Sequence, residues 1–211
     1  GNKEIIVRRA DVAAAFRDVG VAEGDTLMFH SALSSMGRVE GGPDAVIDGM
    51  IDAVGPTGTV AAPTLCSMKA DDGRSIFEAW SIQASPSYVG KITEVFRLRP
   101  ESIRSDNPTH SVAAIGARAK ELTQRHGVSG ERVGPFGPRA FAGESPWQKF
   151  YDWNAAYCFI GVDFRVNTMV HFVETLIVQN DVSRFEHDER TRRAAAVRTP
   201  DHEEGAWPQL R

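Results

Sequence analysis

Short apolar runs alternate with segments of helical periodicity, and this alternation constrains the fold more than any other feature of the sequence. Apolar runs bounded by glycine or proline are typical of buried strands. Because strands and helices take turns along the chain, we expect an α/β domain whose sheet need not be wholly parallel. The predicted strands are residues 26–29, 59–63, 110–115 and 155–162, and the predicted helices are residues 11–19, 43–54, 88–98, 117–126, 146–151 and 168–179.

Two long segments interrupt this alternation. Residues 66–86 show no clear period and are predicted to cross the surface, and residues 127–145 are rich in glycine and proline, which predicts a long loop. After about residue 180 the chain is polar and gives no clear pattern. A length of 211 residues supports one substantial core, so we expect a single domain over residues 1–211.

Composition excludes some classes of function. Hydrophobic residues make up 42% and charged residues 25%, as in ordinary globular proteins. The formal net charge of −4 argues against a nucleic-acid partner and is compatible with a cationic substrate.

No apolar run approaches the roughly 20 residues that span a bilayer, and no secretion signal is evident at the start. Cys66 and Cys158 lie in apolar surroundings and are expected to be buried free thiols, so we expect a cytoplasmic protein.

Three residues stand out as candidates for acid–base chemistry: His110, His171 and Glu174. Imidazole and carboxylate groups can exchange a proton near neutral pH. His171 and Glu174 are three residues apart on a predicted helix that is apolar nearly all round, which predicts burial. Pro108 holds Asn107 extended and thereby fixes the approach to His110. A structural His–Glu pair and a core histidine bonded to the backbone are the alternatives.

A loop of small residues follows the first predicted strand and could approach an anion. Small side chains let backbone N–H groups come close, and the helix N-terminus after Pro43 adds a favourable field. The loop fits neither the Walker pattern nor the dinucleotide glycine spacing. The loop is His30-Ser31-Ala32-Leu33-Ser34-Ser35-Met36-Gly37, with Gly41-Gly42-Pro43 after it.

Two other enzyme classes stay open at this point. His110, His171 and Glu174 are a credible zinc set for a metal-dependent hydrolase, although the spacing is not that of the His-Glu-x-x-His helix. Ser31, Ser111 or Cys66 could act as a nucleophile, but the sequence has no Gly-x-Ser-x-Gly elbow. Cys66 is better interpreted as core packing.

Taken together, several segments resemble the aminoglycoside 3-N-acetyltransferase family of antibiotic-modifying enzymes. The similar segments occur in the family's order over roughly residues 10 to 180, and their joint occurrence is more specific than any one of them. They are Phe29 to Gly37, Gly55-Pro56-Thr57-Gly58-Thr59 with Pro63-Thr64, Val89-Gly90 with Glu94 and Phe96, Arg104-Ser105 with Pro108-Thr109-His110-Ser111, Ser145-Pro146, and Gly161-Val162-Asp163 with Thr168, His171 and Glu174.

The resemblance implies a three-layer α/β/α sandwich around a mixed, largely central β-sheet, with acetyl-CoA as donor and an amino group as acceptor. It implies an aminoglycoside N3-acetyltransferase without a metal, whose catalytic histidine is His110 and whose acidic partner is Glu174. It places the donor at the first loop. The implied cofactor-binding residues are His30, Ser31, Ala32, Leu33, Ser34 and Ser35, completed by Ser111, Val112 and Thr168.

Other assignments are less specific. Arg104 is a candidate for the donor phosphates, and Asp72, Glu78 and Asp163 are candidates for a cationic acceptor, although surface ion pairs are an alternative for each. His171 could be catalytic or could bond Glu174. The family usually has histidine where this chain has Asn107, and the tail after Glu174 is atypical, so a relative that acetylates a different amine also stays open. We expect a monomer or a homodimer.

Overall fold

The computed structural model describes residues 5–182 and residue 189. Most of its secondary structure follows the predicted alternation. In chain order the elements are β1 (Ile6–Val7), α1 (Arg9–Asp18), β2 (Thr26–Ser31), a 3-10 turn (Leu33–Met36), β3 (Arg38–Val39), α2 (Gly42–Val54), β4 (Thr59–Pro63), α3 (Ile76–Ala79), α4 (Lys91–Leu98), β5 (Ile103–Arg104), β6 (Val112–Gly116), α5 (Ala119–Thr123), α6 (Pro146–Asp152), β7 (Ala156–Ile160), a second 3-10 turn (Phe164–Val166) and α7 (Met169–Val182).

A mixed five-stranded sheet forms the centre, with strand order β5-β6-β4-β2-β7. β2 pairs in parallel with β4 and β7, whereas β6 pairs antiparallel with β4 and β5. β1 and β3 form a separate parallel pair. The prediction of an α/β domain with a sheet that is not wholly parallel is therefore confirmed.

Helices cover both faces of the sheet because successive strand residues point to opposite sides. Along β2, Leu27 and Phe29 join a core cluster with residues of α1, α2 and α4. Met28 joins a second cluster with residues of α5, α6 and α7. The same alternation holds in β4, where Val60 belongs to the first cluster and Ala61 to the second. The result is a three-layer arrangement, as expected.

The structure corrects two element boundaries near the candidate site. His110 does not open a strand, because β6 begins at Val112 and residues 108–110 form a turn. Residues 99–109, which lie between the predicted helix 88–98 and the predicted strand 110–115, contain β5, a two-residue strand that pairs with Ala113 and Ala114. A strand this short has no apolar periodicity of its own, so only its pairing partner reveals it.

Helix α7 is not buried all round, contrary to the sequence prediction. Phe172 is buried, but the residues Val170, Val173 and Ile177 are 43%, 47% and 52% exposed. Only one stripe of the helix packs on the core, while its apolar residues continue onto the outer face. Within the described residues, no helix is long and apolar enough to cross a membrane.

Two further expectations concern the cysteines and the chain end. Cys66 and Cys158 are free thiols, but each is partly exposed rather than fully buried. The polar tail lies outside the described residues apart from residues 181, 182 and 189. The prediction of a single domain over residues 1–211 therefore stays a prediction.

Candidate functional site

The candidate residues gather at one edge of the sheet because of strand direction and register. β2 and β7 run parallel with Ser31 opposite Ile160, so both strands end at the same edge. β6 is antiparallel to β4 with Pro63 opposite Val112, which brings the start of β6 to that edge as well. The turn before β6 and the loops after β2, β4 and β7 thus meet outside the carboxyl ends of the parallel strands, where α/β proteins bind ligands.

Hydrogen bonds on both sides of its backbone hold His110 in place. The side-chain oxygen Oδ1 of Asn107 accepts from the backbone N–H of His110 at 2.7 Å and from that of Thr109 at 3.1 Å. The indole Nε1 of Trp147, on α6, donates to the carbonyl oxygen of His110 at 2.9 Å. Asn107 therefore shapes the turn that presents the histidine, and Trp147 anchors it to the helix layer.

The imidazole of His110 lies in an aromatic cage. Its ring centroid is 4.5 Å from that of Phe136 and 4.7 Å from that of Phe141. The residue is only 5% exposed, and its Nδ1 has no hydrogen-bond partner among the described residues. Burial lowers the pKa of His110 well below its usual value, and the nearby His171 and His126 lower it further. The ring is therefore neutral at pH 7 and able to accept a proton.

His171 and Glu174 form a pair at the start of α7, one helical turn apart. Nδ1 of His171 lies 2.8 Å from Oε2 of Glu174, and the two side chains are 33% and 30% exposed. The ring of His171 stands perpendicular to that of His110, with 6.4 Å between their centroids. The structure thus joins Glu174 to His171 and brings His171 beside His110. A direct bond between Glu174 and His110 stays a prediction.

A cavity of about 410 Å³ opens over these histidines. The segment after β4, the turn before β6 and the loop between β7 and α7 form its walls. Apolar side chains dominate the lining, and Thr109, Asn167 and Thr168 add neutral polar groups. The lining residues are Leu65, Cys66, Met68, Val89, Thr109, His110, Phe136, Arg165, Val166, Asn167, Thr168, Val170 and His171.

The first loop lies at the same sheet edge but outside this lining. Ser34 and Ser35 are exposed, and the N–H of Ala32 donates to the carbonyl of Ile160 at 3.0 Å. A side chain at Gly90, the residue after the cavity residue Val89, would stand 3.6 Å from the carbonyl oxygen of Ser31. The loop is therefore a neighbour of the cavity wall rather than part of it.

The structure gives His30 a structural position instead of a ligand-binding one. Its Nε2 is 2.7 Å from the hydroxyl oxygen of Tyr157, and its ring stacks on Phe159. Burial lowers the pKa of His30 to about 4 and raises that of Tyr157. A neutral imidazole whose Nε2 is already bonded carries no charge to attract a phosphate.

Arg104 also differs from its predicted role as a phosphate ligand. Its guanidinium is buried and donates to the carbonyl oxygens of Thr64 at 2.7 Å, Ser85 at 2.5 Å and Ile82 at 3.2 Å. Its remaining N–H groups meet the hydroxyl oxygens of Thr64 and Ser111 and the sulfur of Cys66. All five donors are therefore engaged within the protein.

Ser111 and Val112 do not reach the cavity either. Both are fully buried, and the hydroxyl of Ser111 donates to the carbonyl oxygen of Thr64 at 2.8 Å. Val112 belongs to the core cluster beneath α5 and α6. Of the residues predicted to complete the donor wall, Thr168 alone lines the cavity.

The three acidic candidates are exposed, and none of them lines the cavity, although Asp163 pairs with the lining residue Arg165. Asp72 pairs with Arg74 at 2.6 Å, and Asp163 pairs with Arg165 at 2.5 Å. These arginines lower the pKa of each carboxyl group. Glu78 is exposed in the first turn of α3. Ion pairing neutralises two of the three, so the surface alternative describes Asp72 and Asp163 better.

Metal binding receives no geometric support in the described part of the chain, where no group of three His, Cys, Asp or Glu converges.

Cys66 lines the cavity, which corrects its interpretation as core packing. Its sulfur nevertheless donates to the carbonyl oxygen of Pro86 at 3.2 Å, and burial raises the pKa of the thiol. A thiol of raised pKa is a poor nucleophile at neutral pH.

Sequence reasoning missed the residues that surround His110. Phe136, Phe141 and Trp147 come from the long loop and from α6, and no local pattern connects them with the histidine. His126 is buried nearby, where its Nε2–H donates to the carbonyl of Ala140 at 3.0 Å and its Nδ1 accepts from Ser105 at 2.8 Å. The sequence offered one signal of this environment: Asn107-Pro108, a turn-forming pair just before His110.

A sheet covered on both faces, with a buried imidazole in the turn before β6, defines an α/β protein with a candidate acid–base site at the carboxyl edge of its parallel strands. The family model described as aminoglycoside 3-N-acetyltransferase matches residues 28–208. The chain belongs to this family, and the resemblance inferred from the sequence is confirmed.

Curated relatives agree with this assignment. Aminoglycoside N(3)-acetyltransferase VII of Streptomyces paromomycinus is 29% identical over 186 residues, which covers 81% of this chain and 61% of the relative. The SPbeta prophage-derived aminoglycoside N(3')-acetyltransferase-like protein YokD of Bacillus subtilis is also 29% identical, over 79% of this chain and 64% of that protein. The chain thus spans less than two thirds of the length of these relatives.

Solved structures show the same fold. AAC-IIIb in its binary form with CoASH superposes with a TM-score of 0.69 at 29% identity, over 82% of this chain and 66% of that one. AAC-VIa bound to sisomicin gives a TM-score of 0.66 at 29% identity, over 81% of this chain and 65% of that one.

Proposed function

We propose that this chain transfers the acetyl group of acetyl-CoA to an amino group of an aminoglycoside, at the 3-amino position that the relatives' names specify. The observation that carries the proposal is the neutral, buried imidazole of His110 on the wall of a 410 Å³ cavity. The family assignment supports it, as do the relatives solved with CoASH and with sisomicin.

The proposed reaction is a direct transfer. A protonated amine has no lone pair, so His110 takes a proton as the amine nitrogen attacks the thioester carbonyl carbon. The tetrahedral intermediate then collapses, the carbon–sulfur bond breaks, and the CoA sulfur leaves as a thiolate, which takes the second proton that the nitrogen loses, so that the products are a neutral amide and the thiol. The lowered pKa of His110 keeps the base neutral at pH 7, and such general-base help contributes about 10² to 10⁴ in rate.

Glu174 and His171 act beside this base in the proposal. Once His110 carries a proton, the carboxylate of Glu174 stabilises the positive charge, and His171 lines the same cavity as His110. The 2.8 Å bond between them fixes the orientation of the His171 ring. His171 is thus a candidate catalytic residue, and Glu174 is its acidic partner as well as that of His110.

The donor lies across the same sheet edge in this proposal. Thr168, Asn167 and Thr109 offer neutral polar groups inside the cavity to the amides of the pantetheine arm. The first loop, from Ser31 to Ser35, takes the phosphates outside it, where Ser34 and Ser35 are exposed. Free thiols at Cys66 and Cys158 fit a reducing cytosol as the place of action, and a monomer or homodimer stays the expected assembly.

Replacement of His110 tests the catalytic assignment. We expect His110→Ala to fold, to bind CoA with affinity close to that of the wild type and to lose about 10²-fold or more in kcat. Release of free thiol from acetyl-CoA measures turnover with an aminoglycoside panel, circular dichroism checks folding, and calorimetric titration measures CoA affinity. Turnover like that of the wild type in this variant would remove His110 from the mechanism.

Elemental analysis of the purified protein distinguishes the hydrolase alternative. The proposal expects acetyl transfer that chelators leave unchanged. Stoichiometric zinc together with chelator-sensitive activity would favour a metal-dependent hydrolase instead.

A further inference from the structure

A second groove adjoins the reaction cavity. It encloses about 350 Å³ and shares Phe136 with the cavity, while Asp106, Asn107 and Pro108 continue directly into the cavity residues Thr109 and His110. A molecule longer than one sugar ring could therefore extend from His110 across Phe136 into this groove. The groove is lined by Phe77, Trp80, Asp106, Asn107, Pro108, Phe136, Gly137, Pro138, Arg139 and Ala140.

Asp106 gives the groove a carboxylate that no cation neutralises within residues 5–182. Its Oδ1 accepts a hydrogen bond from the indole Nε1 of Trp80 at 2.7 Å. The groove's only arginine, Arg139, lies 3.5 Å from Glu131 and is thereby partly neutralised. Asp106 thus differs from the surface carboxylates Asp72 and Asp163, each of which pairs with an arginine.

Aromatic rings stand beside this carboxylate. Phe77 is 53% exposed, and the buried guanidinium of Arg104 lies over the ring of Trp80, with its central carbon 4.7 Å from the ring centroid. Flat aromatic faces accept the apolar faces of rings, and aromatic faces and carboxylates both attract ammonium groups. This combination suits an aminosugar.

We propose that this groove binds a second aminosugar ring of the acceptor, with an ammonium group on Asp106, while the reacting amine lies at His110. The assignment rests on the proposed function and names a subsite for it. It gives the enzyme a preference for acceptors of several rings over a single ring that carries the same amine.

Asp106→Asn tests the subsite, because its amide oxygen keeps the hydrogen bond from Trp80 and only the charge is lost. We expect the KM for sisomicin to rise about tenfold or more, since a hydrogen bond to a charged group is lost, with kcat nearly unchanged. The KM for 2-deoxystreptamine, a single ring, should stay the same. The matched control is Asp18→Asn, which removes an exposed carboxylate on α1 and should change neither constant.

An unchanged KM for sisomicin in Asp106→Asn would overturn the subsite, as would an equal rise for both acceptors. Calorimetric titration of sisomicin into the wild type and into Asp106→Asn decides the matter independently of turnover. Failure of the wild type to acetylate any amine would refute the proposed function, whereas weaker sisomicin binding by Asp106→Asn would still support the groove.

Discussion

His110 shows how environment sets the chemistry of a single residue. A histidine in water is half protonated near pH 6.5, but His110 is enclosed by aromatic rings and lies close to two other histidines. Both effects disfavour the charged ring. The neutral form therefore persists at pH values where a surface histidine would already be protonated, and a base in that form is ready for an incoming ammonium group.

The pH dependence of turnover follows from this lowered pKa. A base must be neutral to act, so kcat/KM should fall only when pH drops through the pKa of His110, which places the acid limb below pH 6.5. His171→Gln should move that limb to higher pH, because the charge of His171 helps to lower the pKa of His110. Thiol-release assays over a pH series measure the acid limb of the wild type and that of His171→Gln. An acid limb above pH 6.5 in the wild type would contradict the assignment.

The side chain of Asn107 stabilises the turn that presents His110. Its Oδ1 accepts from two backbone N–H groups and from the hydroxyl of Thr109, so one carboxamide oxygen organises the whole turn before His110. The sequence departs from the family's usual histidine here, yet the structure shows that asparagine has a definite task. Asparagine and aspartate favour such turns because their side chains bond the backbone two residues on.

At the scale of elements, Arg104 binds the long excursion after β4 to the sheet. The guanidinium projects from β5 and reaches carbonyl oxygens at both ends of that excursion, at Thr64 and at Ser85. Cys66 lies within the same segment and lines the reaction cavity. Arg104 therefore shapes one wall of the cavity without entering it.

Replacement of Arg104 separates this structural role from phosphate binding. Arg104→Met removes the guanidinium donor from the carbonyl oxygens of Ser85 and Ile82, while that of Thr64 keeps the hydroxyl of Ser111, so we expect a loss of about 2 to 4 kcal/mol in the free energy of unfolding. Urea denaturation measures the loss, and calorimetry should find CoA affinity nearly unchanged in the folded variant.

The control is Arg8→Met, which removes an exposed arginine paired with Glu40 and should cost less than about 1 kcal/mol. Weakened CoA binding in Arg104→Met without a loss of stability would restore the phosphate-binding role.

At the scale of the whole molecule, buried neutral histidines couple stability to pH. Burial lowers the pKa of His30 and of His126 to about 4 and lowers that of His110 well below 6.5. In the unfolded chain each titrates near pH 6.5, so the unfolded state binds more protons below that pH. The stability is fully present above pH 6.5 and is lost as pH falls towards 4.

We therefore expect the free energy of unfolding to fall steeply between pH 6.5 and about 4, by up to about 3 kcal/mol for each of His30 and His126. Urea denaturation at pH 7.5, 6, 5 and 4 measures the slope. His126→Gln should be less stable at pH 7.5 yet show a shallower slope. A slope that is identical in the two proteins would contradict the contribution of His126.

Local sequence determined the elements and the order of the family's motifs. Apolar periodicity and turn residues are local properties, so the four main strands, the longer helices and the candidacy of His110, His171 and Glu174 could be read without coordinates. The His171–Glu174 contact was predictable because a helix brings residues three apart together.

Only the tertiary structure decided which of these groups face a cavity and which are enclosed. Arg104 meets Thr64 across 40 residues, and Trp147 meets His110 across 37, so no local pattern records either contact. The same long-range packing leaves one side of α7 exposed. It also places Asp106 in the lining of a groove beside the reaction cavity. Periodicity is encoded along the chain, whereas burial and hydrogen-bond partners depend on segments that meet only after folding.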